Sequence, residues 1–271
     1  MWAYSPSSVT LFFLPVKKEG KFVGSKGVGI ALYPGMWSRV SEKGTLDIVK
    51  KKVCEKLGVD CKIESLSPLP VSQGFGLSAS ASLSTILAIA RKYNMDLTTL
   101  EMARIAHEVE IEIGGGLGDV SVQITGGFVM RRRAGPTYGD RIPISRREFV
   151  AAVLGEKIDT SLMDFDKFVR AGKRAWRRFL REKSLKNAFK VARDFARECR
   201  VDSEVRGCIE DCLRYGDCAQ IMLGNSVICY GDNDKLVDVL ENYGKVYRMR
   251  VDLSGIRLVN SPGQQLRSTL R

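Results

Sequence analysis

The first third of the chain alternates short apolar runs with glycine and proline, a pattern typical of β-strands. The predicted strands are SVTLFFLPV, GKFVGSKGVGIALYPG, WSRVSE and KIESLSP. A helix interrupts them over TLDIVKKKVCEKLG and ends at Gly58. Its apolar positions recur every three to four residues: Leu46, Val49, Val53 and Leu57. The opening MWAYSPSSVTLFFLP has no basic leader and no small-residue cleavage site, so we interpret it as the first strand and not as a signal peptide.

Two further helices follow, and a segment rich in glycine and serine precedes the first of them. GFGLSASAS, at residues 74–82, runs directly into LSTILAIARKYN. In that helix the apolar residues have i, i+3, i+4, i+7 spacing, which predicts one buried face. Thr98 and Glu101 have the spacing of a capping box, and they open a helix through EMARIAHEVEIEI that stops at three glycines, 114–116. DVSVQITGGFVMRRR is predicted to be a loop followed by a strand.

The segment AGPTYGDRIP is rich in turn formers and marks the predicted boundary between two lobes, residues 1–135 and 136–271. Beyond it we expect a strand, EFVAAVLG, and then two basic helices. The tail CAQIMLGNSVICYG, a helix DKLVDVLENYG and a final strand KVYRMRVDLSGIRLV complete the second lobe. Helices and strands mix in this way in both halves, so the predicted fold class is α+β.

Positive charge is concentrated in a few segments of the chain. The net charge is +12, and much of the excess lies in residues 131–133, 146–147 and 167–200. Apolar residues in 167–200 follow helical spacing, so the basic residues occupy the outer faces, and we favour a solvated basic surface. Attraction of anionic substrates and binding of RNA or DNA are the alternatives. No apolar run reaches the length of a membrane span, so no membrane partner is expected.

The seven cysteines are odd in number and form no CxxC pair. Cys208 and Cys212 are four residues apart and face the same way on a helix, but nothing completes a zinc set. We therefore expect buried free thiols in a reducing cytoplasm. A disulfide is the alternative if the source is a hyperthermophile.

The glycine–serine segment has the composition of a phosphate-binding loop. The chain has no GxxxxGK[ST] motif, which excludes a Walker loop, and no GxGxxG with its acidic partner, which disfavours a dinucleotide site. Small residues let the backbone approach an anion, and the free N–H groups at a helix start point towards it. Serine hydroxyls add donors, or a ligand for Mg²⁺. These residues alone leave two interpretations open, phosphate binding and a structural cap with a flexible loop.

Two acidic residues strengthen the phosphate interpretation. His107 and Glu110 are three residues apart and project from one helix face. Asp119 stands nine residues after Glu110, just past the three glycines, where its carboxylate can reach into a cleft. Together the two acids can hold a metal ion and orient a hydroxyl group.

This combination resembles the GHMP kinases, the galactokinase, homoserine kinase and mevalonate kinase superfamily. Their signature, Pro-x-x-x-Gly-Leu-(Gly/Ser)-Ser-Ser-Ala before a helix, is similar to PVSQGFGLSASAS, with two inserted residues and Ala79 in place of the first paired serine. The resemblance implies a two-lobed fold with a ribosomal-protein-like β-α-β N-terminal lobe. It implies Ser80 and Glu110 as Mg²⁺ ligands and Asp119 beside the substrate hydroxyl. The implied ATP phosphate site comprises Gly74, Gly76, Leu77, Ser78, Ala79 and Ser80.

Most of the chain looks like the archaeal pantoate kinase branch of these enzymes. The similar blocks are SPSSVTLFFLP, GSKGVGIAL, AHEVEI…GLGDV, GGFVMR and AQIMLGNSV, although Pro6-Ser7-Ser8 replaces the usual Pro-Gly-His. The resemblance implies ATP-dependent phosphorylation of the 4-hydroxyl of pantoate, giving 4-phosphopantoate for coenzyme A synthesis. It places Ser25, His107, Arg131 and Thr160 in the substrate pocket, with Arg131 suited to a bidentate contact with the carboxylate.

Two other functions are alternatives to pantoate phosphorylation. The first is a GHMP kinase for another small alcohol, mevalonate or homoserine. The second is a basic RNA-binding protein that uses the same β-α-β lobe, which leaves Ser80, Glu110 and Asp119 without a role. No aromatic-rich nucleic-acid platform is visible, so a nucleic-acid partner is not expected. The resemblance also implies a cytoplasmic enzyme and a homodimer.

Overall fold

The computed structural model describes residues 1–158 and 164–262. Within them lie ten strands: β1 (Trp2–Lys18), β2 (Lys21–Thr45), β3 (Ile63–Leu66), β4 (Phe128–Arg131), β5 (Asp140–Ile142), β6 (Glu148–Val153), β7 (Gly216–Ile221), β8 (Ser226–Gly231), β9 (Lys245–Val251) and β10 (Arg257–Val259). Eight helices accompany them: α1 (Ile48–Leu57), α2 (Leu77–Tyr93), α3 (Thr99–Glu112), α4 (Asp119–Thr125), α5 (Lys167–Arg181), α6 (Leu185–Glu198), α7 (Arg206–Cys212) and α8 (Asn233–Leu240). None of these helices is long and apolar enough to cross a membrane.

Strand β2 is the hub of one antiparallel sheet. The main path of the sheet runs β10-β1-β2-β9-β6-β8-β7, and β2 also pairs with β3 and β4. Strand β9 pairs with β2 on one side and with β6 on the other, so the sheet continues from one half of the chain into the other. Helices and antiparallel strands are both abundant, which confirms the predicted α+β class. The division into lobes at 135/136 stays a prediction, and the β4–β5 pairing crosses it.

The first two strands are longer than the sequence pattern predicted. A tight turn at Glu19 and Gly20, with φ of +52° and +78°, joins β1 to β2. Pro34 and its following glycine predicted a strand end, but they lie at a register shift where Ser5 pairs with Met36 and Ser7 with Leu32. A bulge of this kind accommodates proline and glycine without ending the strand. The predicted GKFVGSKGVGIALYPG and WSRVSE strands are therefore one strand.

The first and third helices begin and end close to their predicted bounds because each carries local signals. Helix α2 begins at Leu77, six residues before the predicted start at Leu83, so residues 78–82 lie in its first turns and not in a loop. Gly58 caps α1 in the left-handed conformation with φ of +65°. Thr98 and Glu101 form the predicted capping box of α3. The prediction failed at α4, where DVSVQIT is a helix and not a loop. Its polar and apolar residues alternate one by one and residues 120–125 are all buried, so its sequence lacks the amphipathic period that reveals surface helices.

Helices α5 and α6 pack their apolar faces against β1, as the spacing predicted. The ring centroids of Phe12 and Phe179 lie 5.6 Å apart, and those of Phe13 and Phe168 lie 5.0 Å apart. These four rings are buried, and each contributes roughly 2 kcal/mol through removal of apolar surface from water. Their packing brings the segment that precedes α5 close to β1 and β2.

Two cysteines depart from the expectation of free thiols. Cys218 and Cys229 form a disulfide between facing positions of β7 and β8, with Cα atoms 4.2 Å apart. The β7–β8 hairpin brings these residues together, and their separation of 11 along the chain does not reveal it. The thiols of Cys54, Cys61, Cys199, Cys208 and Cys212 are free.

Candidate active site

The described residues surround a cavity of about 890 Å³ beside the start of α2. Its wall draws on the start of α1, the segment between β3 and α2, the α3–α4 connection, β1, β2 and β4, and two loops of the second half of the chain. Six of the residues predicted from the sequence to bind ATP or substrate line it: Ser25, Gly74, Gly76, Leu77, Ser78 and Arg131. Glu110 and Asp119 also line it. The tertiary structure therefore collects the predicted loop and both acids around one space.

The start of α2 presents backbone amides to this cavity. Gly76 is the N-cap of the helix, has φ of +60° and supplies no capping side chain. A β-carbon at this position would overlap the hydroxyl of Ser8 and lie 3.1 Å from Cγ of Asp119. Glycine is thus required both by the backbone conformation and by the close approach of Asp119. The first N–H groups of a helix lack intrahelical partners and carry partial positive charge, so this end of α2 suits an anion.

Ser78, and not Ser80, faces Glu110. The Ser78 hydroxyl donates a hydrogen bond to Glu110 Oε1 and lines the cavity. Ser80 is fully buried on another face of α2, where its hydroxyl donates to the carbonyl oxygens of Pro6, at 2.7 Å, and Gly76, at 3.1 Å. Ala79 is also fully buried. The predicted pairing of Ser80 with Glu110 is corrected to Ser78, because two residues along a helix turn the side chain by about 200°.

Glu110 is held at the bottom of the site. It is 1% exposed and accepts hydrogen bonds from Ser78 and, at 3.0 Å, from the amide of Gly116. Burial raises the pKa of Glu110 from 4.5 to about 7, and the nearby Asp119 adds to this rise, while the two hydrogen bonds oppose it. The carboxylate therefore changes its protonation near neutral pH, and a nearby cation would stabilise its ionised form.

Asp119 is the first residue of α4 and is held by a network that reaches β1 and the N-cap of α2. Its Oδ1 accepts a hydrogen bond of 2.9 Å from the Ser8 hydroxyl, which accepts one of 3.0 Å from Gln123. Gln123 also donates to the carbonyl of Gly76 at 2.8 Å, so the network links Asp119 to the start of α2. Burial raises the pKa of Asp119, and the positive charge of Arg131 opposes this rise.

Ser8 and Gln123 are site residues that the sequence analysis missed. The only signal at Ser8 was its position in the Pro6-Ser7-Ser8 stretch, where the related enzymes have another pattern. Gln123 gave no signal, because it lies in the segment that was predicted to be a loop and strand.

The glycines before α4 let the two acids approach each other. A β-carbon at Gly115 would lie 3.0 Å from Cδ of Glu110. A β-carbon at Gly116 would overlap Asp119 and lie 3.8 Å from Oε2 of Glu110. Residues with side chains at these positions would push the carboxylates apart. The close approach of the acids therefore explains why positions 115 and 116 are glycine, which supports the predicted role of two of the three glycines.

Arg131 is a buried cation with unused hydrogen-bonding capacity. Its side chain is 2% exposed, and Nη1 donates to the Ser25 hydroxyl at 3.2 Å. The Nε and Nη2 groups find no hydrogen-bond partner in residues 1–158 and 164–262. Burial lowers the pKa of Arg131 to about 10, and Asp119 opposes this decrease. A guanidinium with two free N–H groups in a cavity wall can bind a carboxylate or phosphate in bidentate fashion.

His107 is a predicted pocket residue that does not line the described cavity. The buried imidazole of His107 donates from Nε2 to the carbonyl of Val23 at 3.0 Å, and burial lowers its pKa. It thereby braces β2 two residues before Ser25. Thr160 lies outside the described residues.

The basic helices do not contribute to the part of the cavity that the structure describes. Three basic residues line it, Lys50, Arg131 and Lys157, and none of them belongs to α5 or α6. Lys50 is 6% exposed and forms an ion pair of 3.0 Å with Asp47 at the start of α1. The sequence analysis gave no role to Lys50 or Lys157.

Known proteins resemble this chain over nearly its whole length. Residues 43–127 match the GHMP kinases N terminal domain. The chain is 28% identical over 278 residues to the pantoate kinase of Methanospirillum hungatei JF-1, an alignment that covers 93% of this chain and 94% of that protein. It is 30% identical over 225 residues to the pantoate kinase of Thermococcus kodakarensis, covering 72% of this chain and 74% of that protein.

A solved structure extends this similarity to the fold. It is described as a phosphotransferase related to the CoA biosynthesis pathway and is 25% identical in sequence. The TM-score is 0.81, and the superposition covers 95% of this chain and 98% of that chain. Together with the site geometry, these similarities show that the chain belongs to the GHMP kinases and, within them, to the pantoate kinase family.

Proposed function

We propose that this protein transfers the γ-phosphoryl group of ATP to the 4-hydroxyl of pantoate, giving 4-phosphopantoate for coenzyme A synthesis. The observation that carries the proposal is the pair formed by Asp119 and Arg131 beside the amide end of α2. A kinase for a hydroxy acid needs a carboxylate near the reacting hydroxyl, a cation for the acid group and donors for phosphate. The names of the full-length relatives point to the same reaction.

The triphosphate binds at the start of α2. The backbone amides of Gly76, Leu77 and Ser78 neutralise the phosphate charge, and the side chain of Lys157 adds a cation at the cavity wall. The space between the start of α1 and residues 65–72 accommodates the nucleoside. Lys50, Ser65 and Ser67 are among the polar residues that line this end of the cavity and can hydrogen-bond to it.

The oxygen donors of the site fit a Mg²⁺ ion. Ser78, Glu110 and Asp119 supply a hydroxyl and two carboxylates, which are the hard ligands that this ion prefers. Burial raises the pKa of both acids, and the charge of Asp119 raises that of Glu110 further, so a divalent cation would relieve a repulsion already present. When bound, the ion neutralises charge on the transferred phosphoryl group.

Asp119 orients the acceptor hydroxyl and accepts its proton. Ser8 and Gln123 hold the carboxylate in one orientation, so the acceptor oxygen meets a fixed partner. The unpaired Nε and Nη2 groups of Arg131 bind the carboxylate of pantoate and fix the other end of the substrate. Phosphoryl transfer depends mainly on positioning and charge neutralisation, and these contacts provide both.

A coupled assay of ADP release tests the acceptor. Pantoate, mevalonate, homoserine and shikimate are offered at equal concentrations with Mg²⁺ and ATP, and ³¹P NMR locates the phosphate on the product. We expect the highest kcat/KM with pantoate and a phosphate ester at its 4-hydroxyl. A higher kcat/KM with mevalonate or homoserine would replace the proposed acceptor and keep the kinase. No ADP release with any acceptor, together with salt-dependent RNA binding, would favour the RNA-binding alternative.

The proposal extends to the cellular setting. A cytoplasmic location supplies ATP, and fractionation of cells that express the tagged protein tests it. Formation of a homodimer is a prediction that light scattering at several protein concentrations tests.

A further inference from the structure

Two aromatic rings form an apolar wall in the same cavity as Arg131. Phe13 and Phe165 both line the cavity, and their ring centroids lie 6.2 Å apart in an edge-to-face arrangement. The backbone of Phe13 lies near the guanidinium. A β-carbon at Gly27 would be 2.9 Å from Nη2 of Arg131 and 3.0 Å from the Cα of Phe13. The cation proposed to bind the acid and a residue of the apolar wall therefore lie on the two strands that flank β2 at Gly27.

The wall is fixed by packing on its far side. Phe13 is 2% exposed, and its ring contacts those of Phe168 and Phe195 at centroid distances of 5.0 and 5.6 Å. Phe165 contacts the ring of Phe22 at 5.6 Å and keeps part of its surface exposed. Rings held in this way cannot reposition freely around substrates of different shape.

Phe165 reaches the cavity from the second half of the chain. It precedes α5, whereas Arg131 and Asp119 belong to β4 and α4. The residue that completes the apolar wall is thus supplied by a different part of the fold from the residues that bind charge. Such an element can set the shape of the acceptor site without altering phosphate binding.

Pantoate has an apolar centre between its polar ends. Its third carbon carries two methyl groups and separates the carboxylate end from the hydroxyl that receives phosphate. With the carboxylate on Arg131 and the hydroxyl at Asp119, this carbon occupies the cavity that Phe13 and Phe165 also line. An apolar surface beside this carbon would strengthen binding, because it removes the methyl groups from water.

We propose, on the basis of the proposed function, that Phe165, backed by Phe13, is a specificity-determining residue that recognises the dimethylated carbon of the acceptor. One methylene group in a hydrophobic pocket changes kcat/KM by about 10-fold to 200-fold. Two methyl groups against a fixed aromatic wall are therefore expected to change kcat/KM by at least about tenfold.

The test compares pantoate with 2,4-dihydroxybutanoate, which lacks both methyl groups. The wild-type protein is expected to prefer pantoate at least tenfold in kcat/KM. In Phe165→Ala this preference falls at least about fivefold, mainly through a higher KM for pantoate, with the KM for ATP unchanged. Phe165→Leu retains most of the preference because it keeps an apolar side chain. Phe22→Ala removes a ring that packs against Phe165 but is absent from the described cavity lining, so it should lower the preference less than Phe165→Ala does.

A larger side chain gives a second measurement that does not depend on a loss of packing. Phe165→Trp fills the space for the methyl groups, so it lowers kcat/KM for pantoate more than for the unbranched acid. Thermal denaturation of each variant verifies folding. Equal use of the two acids by the wild-type protein, or an unchanged preference in folded Phe165→Ala and Phe165→Trp, would overturn the inference and leave the kinase assignment intact. Absence of turnover with both acids in the wild-type protein would overturn the proposed function and the inference with it.

Discussion

The hydroxyl of Ser78 donates a hydrogen bond to the carboxylate of Glu110 and joins the first turn of α2 to the last turns of α3. The two residues are 32 positions apart, and one lies at an amide end while the other is almost fully buried. This contact places a hydroxyl and a carboxylate together where the phosphates are proposed to bind. It also distinguishes Ser78 from its neighbours in the same serine-rich stretch.

Replacing the two serines one at a time separates their roles. Ser78→Ala removes the hydroxyl beside Glu110, so we expect kcat to fall at least about tenfold while thermal stability changes little. Ser80→Ala removes buried hydrogen bonds to Pro6 and Gly76, which lowers the free energy of unfolding by about 1–3 kcal/mol and leaves kcat within a few-fold. Turnover and chemical denaturation measure the two effects. The reverse assignment of effects would restore Ser80 to the metal site.

Asp119→Asn tests the acceptor-side acid with little change in shape. The amide cannot accept the hydroxyl proton, so we expect kcat to fall by about 10²–10⁴-fold while the Kd of ATP stays within a few-fold. Steady-state kinetics and calorimetric titration with a nonhydrolysable ATP analogue measure these quantities. Ser8→Ala, which removes one hydrogen bond to this carboxylate, should produce a smaller loss in kcat. Full turnover in Asp119→Asn would remove this residue from the mechanism.

Arg131 and Arg132 are neighbours with opposite environments, and they form a matched pair. Arg131 is buried with two unpaired N–H groups, whereas Arg132 is exposed and paired with Asp140. Arg131→Met should raise the KM for pantoate at least about 100-fold, because a charge-assisted bidentate contact is lost, and raise the KM for ATP much less. Arg132→Met should change neither by more than about twofold.

Thermal denaturation of the same variant shows whether Arg131 has a structural role instead. Arg131→Met removes the cost of burying the guanidinium, but it also removes the positive charge that opposes the rise in the pKa of Asp119. We therefore expect Arg131→Met to fold with a moderately lower melting temperature. A large fall in stability with an unchanged KM for pantoate would contradict the substrate role.

The pKa of Glu110 predicts how stability depends on pH. Burial raises this pKa in the folded protein, so folding favours the protonated acid, and its favourable contribution below pH 4.5 is lost as the pH rises through about 7. The full difference corresponds to about 3 kcal/mol. Glu110→Gln cannot ionise, so in metal-free buffer its stability relative to the wild-type protein should increase between pH 4.5 and pH 8. Denaturation at several pH values measures this, and a constant difference would contradict the raised pKa.

Mg²⁺ should reduce the loss of wild-type stability that ionisation of Glu110 causes at high pH. A cation bound beside Glu110 stabilises the ionised wild-type protein and has less to bind in Glu110→Gln. Titration with Mg²⁺ at pH 8 in the presence of a nonhydrolysable ATP analogue should therefore raise the wild-type melting temperature more than that of the variant. Equal increases would argue against Glu110 as a ligand.

The Cys218–Cys229 disulfide should stabilise the β7–β8 hairpin against unfolding. It closes a loop of 11 residues, for which a chain-entropy model predicts about 3 kcal/mol. Adding a reductant under conditions that open the disulfide should lower the melting temperature of the wild-type protein. The double variant Cys218→Ala, Cys229→Ala serves as the control, because its lower melting temperature should not respond to reductant. A similar response in both proteins would assign the effect to other groups.

Local patterns predicted the helices and strands well wherever their signals lie within one element. The glycine that ends α1, the capping box of α3 and the apolar faces of α5 and α6 all depend on residues a few positions apart. The pattern failed at α4, where polar and apolar residues alternate although residues 120–125 are all buried, and at β2, where a bulge accommodates Pro34. In each failure, burial or pairing with distant residues outweighed the local signal.

The sequence by itself determined the types of residues that the site uses: a small-residue loop before a helix, two acids, and an arginine from the run at residues 131–133. Only the tertiary structure decided which serine meets Glu110, that Ser8 holds Asp119 across 111 positions, and that Arg131 is buried with unpaired N–H groups while Arg132 is exposed. The physical reason is that these two kinds of feature depend on contacts of different range along the chain. Helix periods and caps arise from contacts within one or two turns, whereas the direction of a side chain in a cavity depends on how distant elements pack.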